Sequence, residues 1–208
     1  MCNRLIIQIK KLDDKHLLVE IHLIESKIHH SLHNIAKAKA ALTACRAAAN
    51  SIYIGPLLQA EIDMQAGSIS SEERDYKTSY SYFYEAFEGF DGLKDKRASK
   101  ALKYMLLSKI MNDQPNDVKA VIASKLAIKY QSSAISMMQD IANAYKQRSL
   151  QQFEQIINAK QNAHDIAQDL VIKNKLQELK NKLLEQNLLR LLEPFEVVEI
   201  QHIADLMK

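Results

Sequence analysis

The sequence predicts an all-α fold built as a right-handed solenoid of stacked helical hairpins. Three observations carry that expectation. The chain of 208 residues holds only 4 Gly and 3 Pro, too few for the many tight turns that a strand-rich fold needs. Apolar residues recur at steps of three and four through most of the chain, the period of an α-helix. Hydrophobic residues make up 47% and charged residues 25%, a balance that can bury a core rather than remain disordered.

The first helix is predicted from about Asp14 to Leu32, with Leu17, Ile21, Ile24, Ile28 and Leu32 on one apolar stripe. Asp13 or Asp14 is placed to cap its start by accepting from the first backbone amides. A turn at His33-Asn34 leads into an alanine-rich helix from Ile35 to about Ser51, whose small side chains let a neighbouring helix approach closely. Gly55-Pro56 breaks the chain, because proline fits best at a first helical turn. A second pair is expected at about Leu57–Ile69 and Asp75–Phe90, followed by Ala98–Met111. Further helices are expected near Asp117–Lys129, Ser133–Gln147 and Leu150–Ala163, the last capped by Ser149. A long helix then spans about Ile166 to Leu192, with Leu176, Leu179 and Leu183 on one stripe and Leu184, Leu188 and Leu191 beside it.

Two stretches share a small-x3-large-x2-small pattern: Ala38, Leu42, Cys45 and then Ser79, Phe83, Ala86. The same pattern marks the second helix of tetratricopeptide-type repeats, whose period is about 34 residues. Here the copies are spaced more widely and no clean third copy follows, so the repeats are degenerate. After Pro194, Phe195 to Val198 read as a short extended piece. Ile200, Ile203, Leu206 and Met207 then read as a short amphipathic helix, an order that also opens a winged-helix domain.

Chemistry-bearing motifs are absent. None of Gly55, Gly67, Gly89 and Gly92 sits in a phosphate-cradling arrangement, and no H-E-x-x-H occurs. His16, His22, His29, His30 and His33 cluster in the first helix and its exit turn. His29 and His33 are spaced to hold zinc jointly, but His22 stands too far along the helix to join them and no cysteine is near. Solvated histidines on an outer face are the simpler reading. In the aromatic run, Tyr80, Phe83, Phe87 and Phe90 form one stripe and are assigned to the core rather than to base stacking. Tyr82 and Tyr84 point elsewhere and are candidate partner contacts. No cofactor, metal or small-molecule substrate is expected.

The net charge of +3, from 28 basic and 25 acidic residues, is spread through the chain and makes no basic stripe for nucleic acid. Cys2 and Cys45 form no disulfide framework and suit a reducing compartment, with Cys45 a small packed residue. The N-terminus MCNRLIIQIKK has too short an apolar run and no small-residue site for a signal peptide. No stretch is long and apolar enough to span a membrane. The expectation is a soluble, intracellular protein.

The blocks KLDDKHLLVEIHLIESK, AKAALTACRAAANSIY, SYFYEAFEGF, ALKYMLLSKIM, RSLQQFE and LLEQNLLRLLEPFEVVEIQHI closely resemble, in order, the PCI-family scaffold subunits of the proteasome regulatory-particle lid. The resemblance runs from about Leu5 to Lys208. It implies a helical-repeat solenoid over 1–112, and over 113–208 the helical part of a PCI domain with an incomplete winged helix. The recognition helix, wing strands and trailing helix of the family are expected to lie outside this sequence, as are several N-terminal repeats. The implied role is a non-catalytic scaffold in ubiquitin-dependent degradation, found in cytoplasm and nucleus. The implied partners are other PCI subunits of the lid, with the ATPase ring and proteolytic core. Pro194, Phe195 and Val197 would lie near the edge that pairs with a neighbouring PCI domain. Rival readings are a PCI scaffold of the signalosome or of a translation-initiation complex, and a nucleic-acid-binding winged-helix module.

Overall fold

The computed structural model describes residues 14–159, 162, 166–167 and 169–195. The described residues hold nine α-helices, one 3₁₀ turn and no strand, so the all-α helical solenoid expected from the sequence stands. The helices are α1 Lys15–Ser31, α2 Ile35–Ala49, α3 Pro56–Glu72, α4 Tyr76–Gly92, α5 Ala98–Met111, α6 Pro115–Ile122, α7 Ser133–Lys146, α8 Leu150–Asn158 and α9 Leu170–Leu192. The chain divides into two compact units at Asn112 and Asp113.

One turn is used again and again. His33, Arg74, Lys94, Asp113 and Arg148 all adopt left-handed backbone, with φ between 53° and 63°. A side chain in that region costs energy that glycine would not, and here helix-end hydrogen bonds offset it. The amides of Asn34, Asp75, Asp95 and Ser149 each reach back to the carbonyl of His29, Ser70, Phe90 and Ala144, at 2.9–3.0 Å. This pattern ties off the orphan carbonyls of the finished helix. The next residue then caps the following helix: Asn34, Asp75 and Ser149 accept from the amides of Lys37, Thr78 and Gln152. Asp14 caps α1 in the same way through the amide of Leu17.

In the first unit, α1 with α2 and α3 with α4 form hairpins whose helices cross at buried small residues. The Ser26 hydroxyl donates to the Ala38 carbonyl at 2.8 Å. One repeat later the roles exchange sides, and Ser79 on the second helix donates to the Gly67 carbonyl on the first at 2.8 Å. Ser26 and Ala38 flank His33 at the spacing with which Gly67 and Ser79 flank Arg74. At the same spacing about Asp113 and Arg148 stand Leu106 with Val118 and Ile141 with Phe153, all fully buried. Large side chains have replaced the small pair there, which is why no further copy of the sequence pattern was visible although the turn persists.

The core of the first unit joins Val19, Leu23, Leu42 and Cys45 of the first hairpin to Ile62, Ala66 and Ile69 of α3. Cys45 is the packed residue expected: its thiol lies 3.3 Å from the Val19 carbonyl, and burial pushes its pKa up to about 11. Phe83, Phe87 and Phe90 are buried as assigned, and Phe83 meets the Tyr104 ring edge-on at 5.2 Å. Tyr80 departs from that stripe. It is half-buried, stacked on Tyr84 with 6.4 Å between centroids and covered by the Lys109 ammonium at 4.5 Å.

The α1 stripe is the main departure. Leu17, Ile24, Ile28 and Leu32 are exposed, at 40%, 51%, 42% and 69%. The helix instead buries the neighbouring face of Val19, His22, Leu23 and Ser26. Apolar spacing located the helix correctly but not the side it turns to its own core.

In the second unit the helix expected over Asp117–Lys129 is two pieces, α6 and a 3₁₀ turn at Ala127–Tyr130. Pro115 starts α6 at the first turn, and the Ser124 hydroxyl takes the Ala127 amide where the helix has ended. The α8 helix stops at Asn158 because Ala159 is extended, and α9 begins at Leu170, capped by Asp169. Leu176, Leu179 and Leu183 are buried on α9, and the adjacent Leu184, Leu188 and Leu191 are half-buried. The winged-helix opening at 196–208 lies outside the described residues.

At Gly67 an added Cβ would stand 2.7 Å from the buried Phe83 ring. Gly67→Ala is therefore expected to destabilise the chain by about 1–3 kcal/mol through overpacking, measured by urea denaturation. A loss no larger than that of Gly92→Ala, where nothing is in the way, would contradict the close crossing.

Candidate interaction surfaces

The residues singled out from sequence separate in the structure. Tyr82, on α4, is half-buried, and its hydroxyl accepts from the Arg46 guanidinium at 2.6 Å. The same guanidinium lies 5.0 Å from the ring centroid. Tyr82 thus ties α4 to α2 within the solenoid. Tyr84 is 39% exposed, beside Tyr80 and Glu88, whose hydrogen bond holds its phenol above the ordinary range. Pro194 and Phe195 follow α9, and the Phe195 amide donates to the Leu192 carbonyl at 3.0 Å with its ring 43% exposed. Val197 lies outside the described residues.

Sequence reading missed a polar seam between the first and second hairpins. Glu61 on α3 receives Lys27 of α1 at 2.9 Å and Arg97, ahead of α5, at 2.6 Å. Burial lifts the Glu61 carboxyl, but the hydrogen bonds from Lys27 and Arg97 outweigh it and hold it below its ordinary value. Lys39 of α2 reaches Glu73 at 2.7 Å, a second bridge between hairpins. These pairs are partly exposed and contribute modestly, about 0–1 kcal/mol each. Two residues from Glu61, and thus on nearly the opposite side of α3, Asp63 is 4% exposed and accepts a hydrogen bond from the Gln59 amide at 2.9 Å. Burial raises its carboxyl, with Gln59 opposing and Glu85 adding repulsion.

The clustered histidines divide: His16 and His33 are exposed, as expected of a solvated face, and the others are not. His22 is buried against Glu25, with Nδ1 3.1 Å from the carboxylate, and His29 and His30 are half-buried. Helix α1 turns this side inward because its aliphatic stripe turns outward. Among the described residues no group of three His, Cys, Asp or Glu is arranged to hold a metal.

The second unit has its own polar centre. Asp113 takes hydrogen bonds from the Tyr145 hydroxyl and, at 2.7 Å, from the Lys182 ammonium. Burial acts to raise the Asp113 carboxyl, but these two donors bring it below its ordinary value. Nearby, a groove of about 650 Å³ is lined by Arg148, Gln186, Leu189, Arg190, Leu192 and Glu193. Asn187 fixes its rim by donating to the Arg148 carbonyl at 3.1 Å. Every buried side-chain nitrogen or oxygen among the described residues has a hydrogen-bond partner, so these polar groups are used in holding helices together. No helix among them is long and apolar enough to cross a membrane.

The alignment to known proteins covers nearly the whole chain. Over 98% of its length the chain is 51% identical to "26S proteasome non-ATPase regulatory subunit 11" of Dictyostelium discoideum. The chain is a homologue of proteasome regulatory subunit 11. It is 49% identical to the subunit 11 homologue of Arabidopsis thaliana and 46% identical to the probable regulatory subunit rpn6 of Schizosaccharomyces pombe, each over 100% of its length. The chain spans about half the length of these curated subunit 11 relatives, 49% in each case. No protein-family model matches it. The relatives' names class them as regulatory and non-ATPase.

Asp63 yields a pH prediction. Its folded pKa lies above the ordinary 3.8, so its contribution to stability is present below that value and is lost as pH rises through the folded pKa. Asp63→Asn keeps an acceptor for Gln59 and removes the buried charge. It is expected to stabilise the chain at pH 7 and by much less near pH 4, measured by denaturation at both. An equal effect at the two pH values would count against the buried charge.

Proposed function

We propose that this chain is a non-catalytic scaffold segment of the proteasome regulatory-particle lid, of the PCI type, serving assembly in ubiquitin-dependent degradation. The observation that carries this reading is the alignment, at 43–51% identity over 96–100% of the chain, to relatives named as proteasome regulatory subunits. The physical reading agrees. Helical hairpins stacked through small residues make extended surfaces, and the polar clusters bridge helices instead of converging on a reactive centre. Its partners are other PCI subunits of the lid, with the ATPase ring and proteolytic core as further contacts, in cytoplasm and nucleus. Pro194, Phe195 and Val197 form part of the contact with a neighbouring PCI domain, and the exposed Tyr84 part of a second surface. The chain carries no peptidase, ATPase or deubiquitinase activity of its own.

Affinity capture of the tagged chain from native lysate, with the bound proteins identified, tests this directly. Lid subunits are expected as the dominant partners. Recovery of signalosome or initiation-complex subunits in their place would overturn the assignment, and submicromolar RNA or DNA binding at physiological salt would favour the winged-helix alternative.

A further inference from the structure

Positive charge is concentrated at one place in the first unit. Residues 94–103, from the loop after α4 into α5, hold Lys94, Lys96, Arg97, Lys100 and Lys103 against a single carboxylate, Asp95. That local excess is larger than the net +3 of the whole chain. The two carboxylates beside it are already taken. Arg97 holds Asp95 at 2.8 Å and Glu61 at 2.6 Å, with its guanidinium 4.8 Å from the centroid of the Phe90 ring. Lys27 takes the other oxygen of Glu61 at 2.9 Å. Lys94 and Lys96 are exposed and Lys103 is half-buried, and none of the three has an ion-pair partner among the described residues. Lys100 is exposed, with its ammonium 5.3 Å from the centroid of the Tyr104 ring.

The backbone sets these cations in a row. Lys96 stands in the turn that enters α5, where its carbonyl accepts from the Ser99 amide at 3.3 Å. Lys100 and Lys103 follow at steps of four and three, the spacing of neighbours on one side of a helix. The row spans about 10 Å and stops at Leu107, which is buried. Leu93, 43% exposed, lies in the loop that leads to it.

The form of this patch selects its partner. Nucleic acid is gripped through many phosphates and through bases stacked on open rings. Here the row is short and no ring is open: Phe90 and Tyr104 are 1% and 4% exposed, each covered by a cation. A second helix with carboxylates at the same steps of four and three meets the row one for one.

We propose that the basic face of α5, formed by Lys96, Lys100 and Lys103 with Lys94 at its edge, is a docking surface for an acidic helix of another protein. The carboxylates of that helix recur at steps of four and three, and an aliphatic side chain beside them rests on Leu93. The inference stands on charge and spacing at α5 and is independent of the assembly proposed above.

The test is binding of the full chain to a labelled alanine-based helical peptide with glutamates at those steps, followed by fluorescence anisotropy over a range of salt. Binding is expected, weakening as salt screens exposed charges, and is expected to vanish when glutamines replace the glutamates. Lys96→Glu with Lys103→Glu is expected to weaken binding by about tenfold or more, because two exposed attractions become repulsions. Lys94→Glu with Lys96→Glu, both ahead of the helix, repeats the test without touching α5, and helicity is read for each variant. The same reversal at Lys119→Glu with Lys125→Glu, exposed lysines of the second unit, is expected to change binding by less than about twofold. A peptide with lysines in place of the glutamates is expected to bind the Lys96→Glu, Lys103→Glu chain better than the original chain. No binding, equal binding of the glutamine peptide, an equal loss from reversals in both units, or a charge swap without rescue would each overturn the proposal. So would tighter binding of a single-stranded RNA that the α5 reversal abolishes, which would make nucleic acid the occupant.

Discussion

Two helices approach closely only where both backbones are left bare, and the first unit is organised around two such crossings. At one, Ser26 and Ala38 meet; at the other, Gly67 and Ser79. Each crossing buries a hydroxyl that donates to the opposing carbonyl, worth about 1 kcal/mol net, and each excludes anything larger at the opposing position. Because the helices touch there, residues one or two turns away reach across. The Cys45 thiol meets the Val19 carbonyl, and Phe83 fills the space beside Gly67. The hairpin becomes a unit of fixed thickness, and the next hairpin inherits its position from it.

That fixed thickness sets the placement of charge. Lys27 and Lys39 reach Glu61 and Glu73 because consecutive hairpins present the same edges at the same height. Asp63, on the same helix but turned inward, is hydrogen-bonded by Gln59, with the Arg46 charge acting on it as well. Glu61 and Asp63 are two residues apart, which on a helix sets one at the bridged edge and the other about 200° away on the buried side. In the second unit Ile141 and Phe153 hold the equivalent positions as large buried side chains, and Asp113, Tyr145 and Lys182 supply the polar tie. Neither arrangement leaves a polar group waiting for a substrate. They are ties between helices, which is what a scaffold requires of its polar residues.

Exposed apolar surface has a different meaning in such a molecule than in a closed globule. A stacked repeat has two ends, and any end face that is not polar is one half of an interface. Among the described residues the aliphatic side of α1 is exposed, whereas Val19, Leu23 and Ser26 are buried within the hairpin.

Much of this was legible in the sequence because it depends on local chemistry. Helix positions followed from apolar spacing, caps at Asp14 and Ser149 from their short acceptor side chains, and breaks from Gly55-Pro56. The packed roles of Cys45, Phe83, Phe87 and Phe90 followed from their place in the repeat. The failures share one cause. Spacing reports that a helix has an apolar side, but α1 has two sides fit for burial, and only the position of α2 decides which is taken. His22 went inside and Leu17 outside for that reason, and Tyr82 turned to Arg46 because α2 stands where it does. The left-handed turns at His33, Arg74 and Arg148 carry no glycine to announce them, since it is the closing hydrogen bonds, formed only once the helix ends are in place, that hold them. What the sequence determined by itself was where most helices lie and which residues cap them, because capping and spacing act within a few residues. Which face each helix buries was decided by its neighbours, because burial is a property of contact and not of order along the chain.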